Sequence, residues 1–224
     1  MSTLQRIDAA PDLTERVHRQ LLEAICAGEL APGTRVTQEE LAASLGVSRQ
    51  PVHQALRILK KEGFLVDAGR RGLMVSPLDA AAVEQLYQVR AVLDGLAARL
   101  AAQAKRKLDP SLIEEGRRAI AGASLRAMIR ADMRYHEAIY AAAGNPLIAE
   151  SAARHWQHIG RAMGATLTPG GMRASVWDEH EAILAAIHHG DAARAESLAR
   201  SHCDVAGANL SRQLQQSEHK EKSA

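Results

Sequence analysis

The run from Thr37 to Val75, TQEELAASLGVSRQPVHQALRILKKEGFLVDAGRRGLMV, constrains this chain more than any other stretch. Its spacing predicts two short helices joined by a tight turn and followed by a two-stranded ribbon. Thr37 and Glu40 have the capping-box spacing, in which hydroxyl and carboxylate each satisfy a backbone donor that a helix start leaves unpaired. Leu41 and Leu45 share a face, and Gly46 supplies the left-handed residue that ends a helix after about two turns. Ser48 stands where it caps the second helix, and Pro51 falls in that helix's first turn, where a missing N–H costs nothing. Val52, Ala55, Leu56 and Leu59 give it an apolar face, and Arg49, Gln50, His53, Arg57 and Lys60 a polar one. Phe64–Val66 and Leu73–Val75 read as strands, and the link from Asp67 to Gly72 has the glycines and charge of an exposed hairpin tip.

These elements make a winged helix-turn-helix, whose second helix enters the major groove of duplex DNA. A solvated amphipathic hairpin with incidental charge has the same spacing. Charge weighs against it: Ser48 to Arg71 holds six basic and two acidic residues, an excess of four in a chain whose net charge is +2.

The segment LAASLGVSRQPVHQALRILKKEGFL, with Gly-Arg-Arg-Gly after it, resembles the DNA-binding domain of GntR-family bacterial transcription regulators. The Val-Ser-Arg-x-Pro-Val run makes the likeness specific, and it covers Leu13 to Pro77. The resemblance implies DNA contacts from Thr37, Ser48, Arg49, Gln50, His53 and Arg57 and, on the wing, from Arg70, Arg71 and Gly72. His53 departs from the family, which usually has an arginine there, so any contact it makes becomes pH-sensitive.

Composition bounds the remainder. The chain of 224 residues is 46% apolar and only 3% aromatic, which favours helix packing over a large sheet. No apolar run approaches the roughly 20 residues that span a bilayer, and the start MSTLQRIDAAPDL has no secretory core, so a cytoplasmic protein is expected. Cys26 and Cys203 form no motif and are expected as reduced thiols. Residues 1–12 are expected as a flexible arm and 217–224 as a disordered tail. A helix over Leu13–Ala27 packs under the helix-turn-helix, and Arg35-Val36 adds a small third strand. Domain boundaries are expected at 13–77 and 78–216, with Asp79 capping the first helix of the second domain. Helices are expected at 79–104, 110–122, 124–143, 146–163, 172–189 and 191–214, punctuated by glycines and prolines. The fold class is therefore mainly α, a winged helix-turn-helix followed by an all-α antiparallel bundle.

Polar residues interrupt the apolar stripes of that bundle. Asp132 and His136 sit at i, i+4 among Met128, Tyr135 and Ile139. His180 falls among Val176, Ile183, Leu184 and Ile187, and His202 among Ala195, Leu198 and Val205. Burying such groups costs several kcal/mol unless each is paired, and one shared divalent metal pairs all four. One carboxylate and three imidazoles suit zinc first, with nickel, iron or manganese as alternatives. An ordinary hydrogen-bonded core is the competing reading. His18, His188, His189 and His219 are expected at the surface. Arg90 flanks the stripe Leu86, Val89, Leu93, Leu96, Leu100, and either meets the carboxylate of a small acid or pairs with Asp94 at i, i+4. His155, among Ile148, Ala152 and Ile159, is a second candidate for that acid.

The same spacing resembles the FCD ligand-sensing domain that follows the winged helix in the FadR-type branch of the GntR family. There an Asp-x-x-x-His on one helix and single histidines on two later helices bind metal, and Asp132, His136, His180 and His202 match residue by residue. DMRYHEAIYAAAGNPLI carries the surroundings, including Asn145, which joins Arg90 and His155 as a candidate effector contact. The likeness covers Leu78 to about Leu214, and six helices suggest the shorter VanR-like version.

The expectation is a metal-containing transcription regulator, not an enzyme, that binds a palindromic DNA operator as a homodimer and responds to a small organic acid. A metallohydrolase is the alternative from another class, since such sites activate water. No general base accompanies the set, because Glu137 and Glu181 follow ligand histidines directly and point away. A metal-storage or metal-sensing bundle leaves the basic wing without a use.

Overall fold

The computed structural model describes residues 13–69, 72–122, 124–167 and 175–223, with side chains described through 216. Contacts divide the chain into two compact units, Met1–Pro77 and Leu78–Ala224.

In the first unit α1 (Leu13–Cys26) turns Val17, Leu21, Leu22 and Ile25 into a core shared with α3. Two helices come next, α2 (Gln38–Leu45) and α3 (Arg49–Lys61), and between them Gly46 takes φ 64° and closes α2 in the left-handed conformation. Val52, Ala55 and Leu59 are wholly buried, so the apolar face of α3 is the one its sequence predicts. The strands β1 (Arg35–Val36), β2 (Leu65–Asp67) and β3 (Leu73–Val75) form an antiparallel sheet in the order β1-β3-β2, pairing Val36 with Leu73 and Leu65 with Val75. β2 starts one residue later than expected, because the Phe64 amide is taken by the Leu59 carbonyl and its ring lies in the core.

Two expected caps differ in detail. The Glu40 amide donates to Thr37 Oγ1 at 3.2 Å, but the Glu40 carboxylate accepts from the Thr37 hydroxyl, at 2.7 Å, and not from a backbone donor. Ser48 has the extended backbone of an N-cap without a side-chain cap hydrogen bond.

The second unit is a bundle of six helices among the described residues: α4 (Ala80–Gln103), α5 (Ser111–Ala121), α6 (Leu125–Ala142), α7 (Pro146–Thr166), α8 (Ser175–His189) and α9 (Ala192–Ser223). Asp79 caps α4, accepting from the Ala81 amide at 3.0 Å. The expected start of α8 at 172 lies outside the described residues. α9 runs nine residues beyond its expected end at 214, into the segment expected to be disordered, since QQSEHKEKS contains no glycine or proline to stop it. α5 approaches α8 so closely that a Cβ on Gly116 would stand 1.9 Å from Trp177 Cζ2.

The largest departure concerns α4. Sequence reading puts Leu86, Val89, Leu93, Leu96 and Leu100 inward, yet the buried face is Val83, Tyr87, Arg90, Ala91, Asp94, Ala97, Ala98 and Ala101. Val89 is 47% exposed and Val92 53%, and the leucines are half-buried. Rings from α6, α7 and α8 already fill the interior, so α4 meets them mainly with small residues, while Leu86, Leu93, Leu96 and Leu100 pack at the margin of the core and Val89 and Val92 are left outside. On α9 a similar rotation turns Val205 outward, 39% exposed, and buries Cys203. His188 is not a surface group: its ring is half-buried and accepts from the Leu108 amide at 3.1 Å.

Candidate functional site

On the first unit, the face of α3 opposite the core carries Ser48, Arg49, Gln50, His53 and Arg57, all exposed. A cleft of about 310 Å³ between α2, α3 and the sheet is lined by Thr37, Glu39, Arg49, Leu56 and Gly72 among others, bringing three expected DNA contacts together. Arg70 and Arg71 lie outside the described residues. Sequence reasoning missed two internal partners. Arg49 donates to Glu39 at 2.6 Å, and Lys60 grips both oxygens of Asp67 at 2.7 and 2.8 Å. Both pairs are solvent-exposed, hence weak and open to exchange for a phosphate.

On the second unit, α6 contributes Asp132 and His136 one turn apart, α8 contributes His180, and α9 contributes His202; all four are buried. One ring nitrogen from each histidine lies within 4.8 Å of the others. His180 Nε2 stands 3.2 Å from His202 Nε2 and 3.6 Å from Asp132 Oδ1, which is 3.9 Å from His136 Nε2. Asp132 thus sits beside the trio rather than at equal range from all three.

The far sides of two rings decide their tautomers. His136 Nδ1 meets Asp94 Oδ2 at 3.0 Å, and His202 Nδ1 meets Glu179 Oε2 at 2.8 Å. A carboxylate can only accept, so Nδ1 carries the proton in each neutral ring and Nε2 presents a lone pair to the centre. Carboxylate-backed imidazoles of this kind are the outer-shell pattern of metal-ligating histidines. His180 is held differently: Tyr135 stacks on it with centroids 4.0 Å apart and donates its hydroxyl to the His180 carbonyl at 2.8 Å.

A metal-free hydrogen-bonded core accounts for part of this, since His180 can donate to His202. It leaves His136 Nε2 buried with no hydrogen-bond partner. The donor set therefore fits a divalent cation.

Asp94, expected at most to pair with Arg90 along the helix, gathers four donors. Arg90 Nε at 3.3 Å, Cys203 Sγ at 3.1 Å and His136 Nδ1 reach Oδ2, and the Tyr140 hydroxyl donates to Oδ1. Burial raises a carboxyl, but His136, Arg90 and Tyr140 together hold Asp94 below its ordinary value. Arg90 is 3% exposed and lies over the Trp156 ring, 4.1 Å from its centroid. Its second terminal nitrogen is 3.9 Å from Asp132 Oδ2 and makes no hydrogen bond. Arg90 thus pairs with Asp94, one of the two sequence readings, and is also among the residues that line a cavity.

That cavity, about 320 Å³, is walled by Tyr87, Arg90, Asp132, Met163, His202 and Leu210, with further residues of α9. His155 does not line it. It borders a crevice on the other side of Arg90 and Trp156, and its Nδ1 is buried without a hydrogen-bond partner. Asn145 is also elsewhere, as the N-cap of α7, where its side chain accepts from the Leu147 amide at 3.1 Å.

The two units thus define a class, a winged helix-turn-helix joined to an all-α bundle with a buried histidine cluster beside a cavity. Residues 13–75 match the gntR family of bacterial regulatory proteins and residues 85–205 match the FCD domain. This chain belongs to the GntR family of bacterial transcription regulators, in the branch that carries an FCD domain. It is 34% identical to the HTH-type transcriptional regulator YdhC of Bacillus subtilis strain 168 over 125 residues, which are 54% of this chain and 56% of that one. An HTH-type regulator from an unstable DNA locus of Streptomyces ambofaciens is 29% identical over 191 residues, 83% of this chain and 80% of that one. Among solved structures, E. coli McbR/YncC superposes with a TM-score of 0.73 at 23% identity, covering 91% of this chain and 99% of its own, a likeness of fold. The family and these relatives are transcription regulators and not enzymes. No helix among the described residues is long and apolar enough to cross a membrane.

The buried histidines set a pH dependence. Burial depresses His180 well below the usual imidazole range, with His202, His136 and Arg90 adding to it. Burial also lowers His136, helped by Arg90 and opposed by Asp94. An unfolded chain titrates both near 6.5, so below that pH it binds protons that the folded state refuses. The stability these rings confer is complete above that value and is lost as pH falls below it. The melting temperature of chelator-treated protein should drop from about pH 7 to about pH 5, and less steeply in His180→Gln. Equal slopes in the two proteins would contradict this assignment.

Proposed function

We propose that this regulator binds a palindromic operator as a homodimer and that a small organic acid, held beside a divalent metal in the bundle, sets its DNA affinity. The observation that carries the reading is the buried histidine trio beside a cavity that Arg90, Asp132 and His202 line, Arg90 having a terminal nitrogen that makes no hydrogen bond. His136, His180 and His202, with Asp132 beside them, would hold the ion, zinc first, with nickel, iron or manganese as alternatives. A bound ion would supply positive charge for an oxygen anion, and Arg90 would orient the carboxylate. Asn145 and His155 are left out of this pocket by their positions. Cys26 and Cys203, neither of them in a disulfide, and a DNA target are in keeping with action in the cytoplasm.

On the DNA side, Arg49, Arg57, Gln50, His53 and Ser48 would enter the major groove, with Thr37, Gly72, Arg70 and Arg71 around them. Arg49 must first exchange Glu39 for DNA. Arg49→Ala should cost about 1–3 kcal/mol of operator affinity if the guanidinium reads a base edge. Affinity of the full chain should fall by roughly 0.9 log units per log unit of salt for each phosphate neutralised. Titrations showing no salt dependence would remove the DNA assignment.

The homodimer reading rests on α4. Val89 and Val92, flanked by half-buried Leu86, Leu93 and Leu96, form an apolar stripe for which a second copy is the fitting cover. Light scattering should give twice the 24.1 kDa chain mass. Val89→Asp with Val92→Asp, both exposed and so harmless to the monomer fold, should give the single mass. A wild-type monomer at working concentrations would refute the dimer.

His180→Ala should lower bound metal, reduce the melting temperature by several degrees and abolish the effect of acid on operator binding, while basal DNA binding persists. Metal analysis of purified wild-type protein should find one divalent ion per chain. If it finds none, and chelator changes neither melting nor acid response, the trio is a hydrogen-bonded core.

A further inference from the structure

The cavity has two chemically distinct ends, and its far end belongs to α9. From His202 the lining runs along one face of that helix through Ala206, Asn209, Leu210 and Arg212 to Gln216. The near end holds Arg90, Asp132 and His202. Met163, Leu167 and Val176 add apolar lining, as does Ala206, which lies between His202 and Asn209 on α9. At the far end Asn209 and Arg212 lie side by side, with Arg212 Nη1 3.5 Å from Asn209 Oδ1. A wall that is charged, then apolar, then charged again is more than one carboxylate needs.

Dimensions limit what fits. The cavity, about 320 Å³ and partly open to solvent, is on the scale of a small organic ligand. Seven residues separate His202 from Asn209, a rise of roughly 10 Å along a helix. The chain length that spans those ends within that volume is about six carbons.

We infer that the acid is a linear aliphatic dicarboxylate of about six carbons, with one carboxylate at Arg90 and the metal set and the other at Arg212 and Asn209. This inference rests on the acid-binding reading above and adds to it a second recognition end. Arg212 is a specificity-determining residue: it reports the second head of the ligand and touches none of the buried histidine set. It is exposed, so its charge is partly screened and acts mainly by a directed contact with an anion at the cavity rim.

The probes are hexanedioate and hexanoate, which share a six-carbon chain and differ in the second carboxylate. Each is titrated calorimetrically into metal-loaded, full-length protein. Hexanedioate should bind about tenfold more tightly than hexanoate, the value of one charge-assisted contact. Arg212→Gln should bring that ratio close to one, whereas Arg212→Lys should retain part of it. Arg90→Gln should weaken both acids together. Equal binding of the two acids to wild-type protein overturns the second recognition end and leaves the acid site standing. A ratio that survives Arg212→Gln also overturns it, since another group then reads the second head. Failure of both acids to bind metal-loaded protein removes the acid-binding reading itself, and this inference with it.

Discussion

The buried carboxylate of Asp94 is the interaction on which the second unit depends. It sits on α4 and accepts from Arg90 on the same helix, from His136 and Tyr140 on α6 and from Cys203 on α9. A charge taken out of water this completely is stable only with full compensation, and removing one partner of such a set costs about 3–5 kcal/mol. The same four contacts fix the chemistry next door. Asp94 sets the tautomer of His136, so a lone pair faces the centre, and it pins one edge of Arg90, a residue that helps to line the cavity. Folding and site construction are therefore one constraint here.

α4 shows how that constraint shapes packing. Its inner face consists of Ala91, Ala97, Ala98, Ala101 and Ala102 around the charged pair, and α9 lies along it. Small residues let the helices approach until polar groups on both can meet. Volume is supplied instead by Tyr135, Trp156 and Trp177 on α6, α7 and α8, which also position the rings of the site: Trp156 lies under Arg90, and Tyr135 and Trp177 flank His180. The leucines of α4 pack at the margin of the core, and Val89 and Val92 continue the apolar surface outward.

Much of this was legible in the sequence, and the failures have definite causes. The winged helix could be read because its signals are local: a cap spacing, a left-handed glycine and a stripe of period 3.6. The histidines could be read because a polar residue breaking an apolar stripe is a local anomaly. Asp94 and Glu179 were missed as backing carboxylates because their partners lie 42 and 23 positions away, and no spacing encodes such contacts. The face of α4 was misassigned because a leucine stripe outweighs an alanine stripe on any hydrophobicity scale, although close packing reverses the order. Asn145 belongs to a Gly-Asn-Pro run that is helix-start chemistry, and the capping reading suffices for it.

The proposed response to an acid needs an element that touches the ligand and is joined to the DNA-binding unit. An effector shifts an equilibrium only by its different affinity for two states, so some part of the protein must differ between those states where the ligand sits. α4 meets the requirement by covalent order alone. It begins at Ala80, within five residues of the end of β3 at Val75, and carries Tyr87, Arg90 and Asp94 in its next turns. On the proposed reading, a carboxylate reaching Arg90 would compete with Asp94 and Asp132 for the same cation. The seat of α4 against α6 and α9 would then depend on whether the ligand is bound. On this argument Arg90 matters less as an affinity group than as the point where ligand charge enters the packing of the helix that leads from the wing.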